Sequence, residues 1–327
     1  MIINRVKEYS IGGDLKLMHS NLEEIAKANP AKKTSGTVQE SIGFSRIFDD
    51  LDPNARYFEF IGGQYLAKII HETRVPSKKD IDRELARKKM EMRKADPEIK
   101  FTRSKITEIR KEVKNELRAV TAPTVNIFYL ILQERTKKAW LSCSSKKDSE
   151  RLMQFLGQAN IRLMEEELSV DIESDLTAII GPDAFLGEDW ELGQATSLTN
   201  LSDKSKVSYA SQDLSSSELG ANTEKEKKAV EIELIYKTCV RLRINANQAL
   251  TNIKLLQKDA PEWLNFSSEQ GDESSEIDVI RAHYQLNMAI IDNLYKAVHK
   301  LIENVGSNVI GASNSEGADL EFTTMRH

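Results

Sequence analysis

The residues whose types and spacing could do chemistry in this chain are mostly cations, and they concentrate between Arg74 and Arg118. This segment holds 16 Lys or Arg and 9 Asp or Glu, an excess of seven positive charges in a chain of formal net charge −5. The remainder therefore carries a net charge of −12. A basic segment in an otherwise acidic chain is typical of a surface that binds a polyanion.

The spacing of these cations predicts helical faces that could contact a duplex. Four of them follow at steps of seven, four and four residues, which brings them to one side of a helix with Lys111 beside them: Arg103, Arg110, Lys114 and Arg118. The preceding helix adds Lys78, Lys79, Arg83, Arg87, Lys88, Lys89, Arg93 and Lys94. Such rows neutralise regularly spaced phosphates and release counterions. Phe101 is the only aromatic residue of the segment, so backbone contact fits better than base stacking.

The same cations also fit a second interpretation, a solvated helical hairpin held by ion pairs between residues three or four positions apart. Arg83 and Arg87, with Glu84 and Glu91 between and beyond them, are such a set. The charge excess favours binding, but the pattern alone leaves both interpretations open.

Catalytic and cofactor-binding motifs are absent from the sequence. The phosphate-binding GxxxxGK[ST], the dinucleotide-binding GxGxxG, the GxSxG elbow and HExxH do not occur, and the 5 histidines do not cluster. A magnesium-dependent nuclease needs converging carboxylates. The nearest candidate, Glu59 with Lys68 on the next strand, has the wrong spacing. We therefore predict no catalytic residue, no metal site and no cofactor.

Local signals predict the elements that position the basic segment. Gly62 and Gly63 separate two strand-like runs, 56–61 and 64–74, as in a β-hairpin. Ser77 with Asp80 resembles a capping box and starts a helix to about Lys94, and a second helix follows from about Thr102 to Arg118. Thin apolar rows indicate two helices packed on each other: Ile81, Leu85 and Met92 on the first, and Ile106, Ile109, Val113 and Leu117 on the second.

The rest of the chain alternates between strand and helix patterns and predicts an α+β fold with antiparallel sheets, packed helices and the projecting basic hairpin. Strands are expected at 124–132, 138–143, 228–236, 239–244 and 249–256, and a long amphipathic helix at 277–305. We divide the chain into a central body at 1–75, the basic hairpin at 76–118, a continuation of the body at 119–195, a Ser-rich loop region at 196–226 interrupted by a strand at KVSYA, the C-terminal strands and helix at 227–305, and a flexible tail at 306–327.

Composition places the chain in the cytosol and away from membranes. Cys143 and Cys239 lie far apart in strand-like sequence without a CxxC motif, so reduced, buried thiols are expected. No run reaches the roughly 18 apolar residues of a membrane span, and the N-terminal residues lack the apolar region of a secretory signal.

The ordered set of motifs resembles the RdgC family of recombination-associated proteins. It comprises GGQYLAKII before the basic hairpin, AWLSCSSKKDSERL after it, the segment 211–218, which is similar to the family's KQDLTSEE, and a closing helix that ends in KLIENVG. The resemblance implies a non-enzymatic, ring-shaped homodimer whose central hole accepts duplex DNA with little sequence preference, and which restrains RecA-type strand exchange. It also implies a cytoplasmic, nucleoid-associated protein.

Two positions depart from the family pattern. Ser211 stands where the family has lysine, so only Gln212 carries over as a DNA-contacting residue. The segment 119–123 lacks the aromatic residue that the family has before the TVNIFYLIL strand. Two alternatives stay open beside duplex binding: a metal-dependent exonuclease or other recombination enzyme, and a protein-interaction module whose basic hairpin binds an acidic partner.

Overall fold

A computed structural model of the chain describes residues 2–13, 19–35, 38–52, 54–180, 186–200, 202–211, 214, 227–257, 264 and 275–316, with side chains of the last helix up to Val305. The helices are α1 His19–Ala28, α2 Lys78–Ala95, α3 Arg103–Val120, α4 Lys146–Gln158, α5 Ile172–Ile179 and α6 Glu276–Glu316. The strands are β1 Val6–Ile11, β2 Glu40–Ser45, β3 Phe58–Ile61, β4 Gln64–Thr73, β5 Thr124–Gln133, β6 Lys138–Leu141, β7 Leu163–Glu165, β8 Trp190–Asn200, β9 Lys206–Ala210, β10 Lys227–Tyr236, β11 Val240–Asn245 and β12 Ala249–Leu255. The predicted α+β class is confirmed.

The chain forms two compact units. The large unit comprises Met1–Leu15, Phe60–Leu66 and Leu130–His327. The hairpin unit comprises Lys16–Glu59 and Ala67–Tyr129, and so contains the whole basic segment. The six-segment division made from the sequence stays a prediction.

The large unit is built on an antiparallel sheet. From the end of β5 its strands follow the order β5, β6, β1, β12, β11, β10, β8 and β9, and β7 also pairs with β1. The strand β11 alternates buried Val240, Leu242 and Ile244 with half-buried polar residues, so one face of the sheet packs into the core and the other faces solvent.

Helix α6 is joined to the central strand β1 by polar contacts as well as apolar packing. The Oδ1 atom of Asn287 accepts hydrogen bonds from the backbone N–H groups of Ile2 and Ile3, at 3.0 and 3.1 Å. The hydroxyl of Tyr295 donates to the carbonyl of Val6 at 2.8 Å. These contacts fix the register of α6 on the sheet, because they supply the hydrogen-bond partners of the buried Asn287 and Tyr295 side chains, which water does not reach.

Glu8 is the central polar residue of this packing. Its carboxylate is 4% exposed and contacts Lys138 Nζ at 3.0 Å and His299 Nε2 at 2.7 Å. Burial opposes ionisation of the carboxyl, but the hydrogen bonds with His299 and Lys138 outweigh it and lower the pKa of Glu8. The ion pair with Lys138 and the hydrogen bond with His299 therefore connect β1, β6 and α6 inside the large unit.

The structure confirms most predicted elements and corrects three expectations. The Gly62–Gly63 hairpin, the strands β10, β11 and β12, the KVSYA strand and the buried free thiols are confirmed. The loop expected from residue 196 is wrong up to Asn200, because β8 continues to that residue and pairs with both β9 and β10. The tail expected from residue 306 is wrong up to Glu316, because α6 continues without a helix-breaking proline. Cys143 and Cys239 lie just outside strands.

The Glu8 contacts predict a pH-dependent contribution to stability. Replacing Glu8 by Gln (E8Q) should lower the free energy of unfolding at neutral pH by about 1.5–3 kcal/mol, since it removes charge-assisted hydrogen bonds from a buried site. A lowered carboxyl pKa stabilises the fold above the ordinary Glu pKa and stops doing so as the pH falls through the lowered value. Urea denaturation across pH should therefore show wild type and E8Q converging under acidic conditions.

Glu166 provides the matched control, because it contacts the same Lys138 at 3.0 Å but is more exposed. Replacing Glu166 by Gln should cost less than about 1 kcal/mol. Equal losses for the two variants at every pH would contradict the role assigned to Glu8.

Candidate nucleic-acid interface

Both helices of the basic hairpin begin at capping residues that the sequence provides. Ser77 Oγ accepts a hydrogen bond from the Asp80 N–H at 3.1 Å and donates to the Asp80 carboxylate at 2.6 Å. Thr102 Oγ1 accepts from the Lys105 N–H at 3.3 Å. These caps satisfy N–H groups that the first turn leaves without partners, so the two helices start where the sequence predicts.

A thin apolar seam holds the two helices together. Leu85 of α2 and Ile109 and Val113 of α3 are buried in it. Partly buried neighbours complete the seam: Ile81, Met92, Phe101, Ile106 and Leu117. The remaining faces of both helices are polar, so the cations between Lys78 and Arg118 lie around the seam and towards solvent.

Arg74 fastens the base of the hairpin. Its guanidinium donates to Thr34 Oγ1 at 2.9 Å, to the Thr34 carbonyl at 3.1 Å and to the Thr121 carbonyl at 3.0 Å. The buried Glu72 carboxylate accepts hydrogen bonds from the hydroxyl and N–H of the same Thr34, and these lower the pKa of Glu72. Arg74 therefore has a positioning role, although it belongs to the basic segment.

Four of the predicted binding cations are engaged by carboxylates of the hairpin itself. Arg83 pairs with Asp80, and Arg87 pairs with both Glu84 and Glu91; the Arg87 guanidinium lowers the pKa of Glu84. Two more pairs join α2 to α3: Lys88 Nζ lies 2.7 Å from Glu116, and Arg110 contacts Asp82. For Arg83 and Arg87, the interpretation as ion pairs between residues three or four positions apart is confirmed, whereas Lys88 and Arg110 pair across the two helices, which the sequence pattern did not predict.

Six of the predicted cations form no ion pair, cation–π contact or side-chain hydrogen bond with another described residue. Five are exposed, Lys114 is half-buried, and the set is Lys78, Lys79, Lys94, Arg103, Lys111 and Lys114. Their charges are available to a polyanion without breaking an existing contact.

The other three predicted cations form contacts that involve no carboxylate. The side chains of Lys89 and Arg93 lie 5.6 and 5.4 Å from the centre of the Phe101 ring, which is cation–π range. Arg118 donates to Asn115 Oδ1 at 3.1 Å, while its Nε has no hydrogen-bond partner among the described residues. These three keep their positive charge uncompensated by a carboxylate.

Sequence reasoning missed two further cations of the hairpin, Lys100 and Lys105. Neither forms an ion pair with a described residue, and Lys100 is exposed in the connection between the helices. The composition of the segment was the signal that could have identified them. Gln212, the residue taken from the family pattern, lies outside the described residues.

Two kinds of site are absent from the described residues. No group of three or more His, Cys, Asp and Glu side chains in that part of the chain is placed to hold a metal ion. No helix there is long and apolar enough to cross a membrane.

Comparison with known families decides the relationship that the motifs suggested. A family model described as "Putative exonuclease, RdgC" matches residues 1–304. The chain belongs to the RdgC family. A search of curated proteins found no match.

Membership gives this RdgC-family chain a recombination-related role. The match begins before the basic hairpin and continues beyond it through most of α6, so it covers both compact units. The family assignment therefore applies to the hairpin and the sheet together, and not to one motif.

The seam predicts that the hairpin depends on Leu85. Replacing Leu85 by Ala should destabilise the helix pair by about 2–5 kcal/mol, because a buried side chain is removed from a small core. Hydrogen exchange of α2 and α3 amides should accelerate markedly.

Met90 supplies the control, since it lies on the same helix and is 55% exposed. Replacing Met90 by Ala should leave the exchange rates almost unchanged. Similar acceleration in both variants would show that the seam does not hold the hairpin.

Proposed function

We propose that this protein binds duplex DNA without catalysing a reaction on it and with little dependence on sequence. The observation that carries the proposal is the set of cations on α2 and α3 that no carboxylate of the described chain neutralises, six of which form no side-chain contact with a described residue. Lysine and arginine side chains that contact phosphates give affinity that does not depend on the base sequence. The low aromatic content of the hairpin fits a duplex rather than a single strand.

The paired cations are compatible with the same function. Arg83, Arg87, Lys88 and Arg110 are held by exposed ion pairs, each of which contributes only about 0.2–1 kcal/mol. A phosphate can exchange with the single carboxylate of Arg83 or Arg110 at little cost, whereas Arg87 is held by two carboxylates. These pairs set the rotamers of the cations before DNA arrives, so less side-chain entropy is lost on binding.

A homodimer that closes into a ring around the duplex would explain how a chain of net charge −5 binds DNA, because only the inner wall needs to be positive. Support for a subunit contact comes from apolar side chains that the hairpin unit leaves exposed: Val120, Val125 and Ile127. Encirclement would give a recombination-related protein its means of action, since a bound ring obstructs a RecA-type recombinase through the DNA itself. The site of action would be the nucleoid in the cytoplasm.

Exonuclease activity is the second candidate, because the description of the family model names it. The sequence offers no motif for it, and most carboxylates of the basic hairpin are used in ion pairs with its cations. End-labelled duplex incubated with Mg²⁺ or Mn²⁺ should stay full-length. Shortening of the label that a single Asp or Glu substitution abolishes would establish the enzyme and overturn the non-enzymatic proposal.

The free cations predict a steep salt dependence of duplex binding. Removing three of them together by R103Q, K111Q and K114Q should weaken binding equally on unrelated sequences. It should also reduce the slope of log affinity against log salt concentration by roughly 0.9 for each phosphate that the variant no longer neutralises. Fluorescence anisotropy with labelled duplexes of several sequences measures both quantities.

Arg87 provides the control, because Glu84 and Glu91 already compensate its charge. Replacing Arg87 by Gln should change the slope much less than any one of the three substitutions. A wild-type affinity for duplex that does not depend on salt concentration would favour the protein-interaction alternative. So would a hairpin that captures an acidic protein after nuclease treatment but does not bind duplex.

A further inference from the structure

A second cationic site lies on the solvent face of the sheet in the large unit. A cavity of about 270 Å³ opens there over β8, β10, β11 and β12. Its cationic lining consists of Arg241, Arg243 and Lys254. Gln194, Ser211 and Asn252 add side-chain groups that can donate hydrogen bonds. None of these residues belongs to the basic hairpin.

The pairing of β11 with β12 sets two of these cations against each other. Arg241 and Lys254 are direct partners in the antiparallel register, so their side chains leave the same face of the sheet. Like charges in that arrangement destabilise a strand pair. The arrangement is therefore unfavourable unless an anion lies between the two side chains.

The carboxylates of the sheet form their hydrogen bonds with a different cation, Arg243, although Glu233 also lies within ion-pair distance of Arg241. Arg243 donates to Glu231 at 3.0 Å and to Glu233 at 3.2 Å, and this makes it a structural arginine of the sheet. Glu233 itself is buried and accepts a hydrogen bond from the Gln194 N–H at 3.1 Å. Its side chain also covers Gly193, where a Cβ atom would lie only 2.5 Å from Glu233 Cγ. Glu233 is therefore fixed in place and cannot turn fully towards Arg241.

Arg241 and Lys254 keep donors that the protein does not use. The Nε atom of Arg241 lies 3.9 Å from Glu233 Oε1, too far for a hydrogen bond, and no other acceptor in the described chain reaches it. Lys254 is exposed and has no ion pair with a described residue. Two cations with spare donors thus converge on one polar cavity.

We propose that this cavity binds a phosphate group of the DNA backbone, with Arg241 and Lys254 as its ligands. The inference rests on the proposed function and adds a contact surface in the other compact unit. An arginine fork beside an ammonium is suited to phosphate oxygens. The described lining contains no aromatic side chain, so the cavity suits a phosphodiester and not a stacked base.

The test compares duplex binding by wild type, R241Q, K254Q and the double variant, by anisotropy over a series of salt concentrations. Each single change should lower the slope of log affinity against log salt by up to about 0.9, and the double variant by more than either. Lys300 is the control, since it is exposed on α6 outside this cavity. K300Q removes the same charge and should leave the slope unchanged.

Moving a positive charge within the cavity distinguishes the loss of a local phosphate contact from the loss of net charge. Ser211 lines the same cavity, so S211K placed in the R241Q background puts a cation back beside Lys254. The slope should recover in the S211K/R241Q variant. Urea denaturation of K254Q should show no loss of stability, because the change relieves a like-charge pair, whereas R241Q also removes the ion pair with Glu233.

The outcomes distinguish the inference from the proposed function. One outcome would overturn the sheet site alone. In it, wild-type binding depends steeply on salt and is weakened by R103Q, K111Q and K114Q, while R241Q and K254Q behave like K300Q. A wild-type protein that does not bind duplex would overturn both. Saturable binding of inorganic phosphate that R241Q abolishes, without an effect of R241Q on DNA, would assign the cavity to a free anion and contradict the backbone contact.

Discussion

The narrow apolar seam between α2 and α3 determines what the basic segment can do. A seam formed by Leu85, Ile109 and Val113 with a few half-buried neighbours is enough to pair two helices but covers little of their surface. The remaining positions can therefore carry charge, and the segment 74–118 contains sixteen cations. Because the helices are fixed at their caps and at Arg74, these charges stay on a defined scaffold.

In both units, contacts with carboxylates distinguish the cations that hold the structure together from the cations that could contact a ligand. In the hairpin, carboxylates engage Arg83, Arg87, Lys88 and Arg110 and leave the other cations between Lys78 and Arg118 without ion pairs among the described residues. On the sheet of the large unit, Glu231 and Glu233 hydrogen-bond to Arg243, while Arg241 faces Lys254 and has only the 3.9 Å ion pair with Glu233. The total charge of the chain conceals this pattern, because the acidic residues elsewhere outweigh it. Family membership gives both surfaces a recombination-related setting.

Local signals were sufficient for the hairpin and insufficient for its ion pairs. Ser77, Thr102 and the Gly62–Gly63 turn act within a few residues, so the sequence predicts the elements that they start or connect. The pairs of Lys88 with Glu116 and of Arg110 with Asp82 join residues 28 positions apart, and only the packing of α2 on α3 brings them together. The register of β11 against β12, with its bulge between Arg241 and Arg243, concealed the sheet site in the same way. The end of strand β8 was missed because its last residues, from Ser197 to Asn200, are mostly polar and its pairing with β10 is not local.

The most direct test of duplex binding by a closed ring is the mass of the protein in solution with linear and with covalently closed circular DNA of the same sequence. A closed ring predicts two copies of the protein on each duplex at low occupancy. It also predicts loss from the ends of linear DNA at moderate salt and retention on circular DNA at the same salt. Equal release from both forms would contradict encirclement. A mass that duplex leaves unchanged at low salt would contradict the proposal that this RdgC-family protein binds DNA.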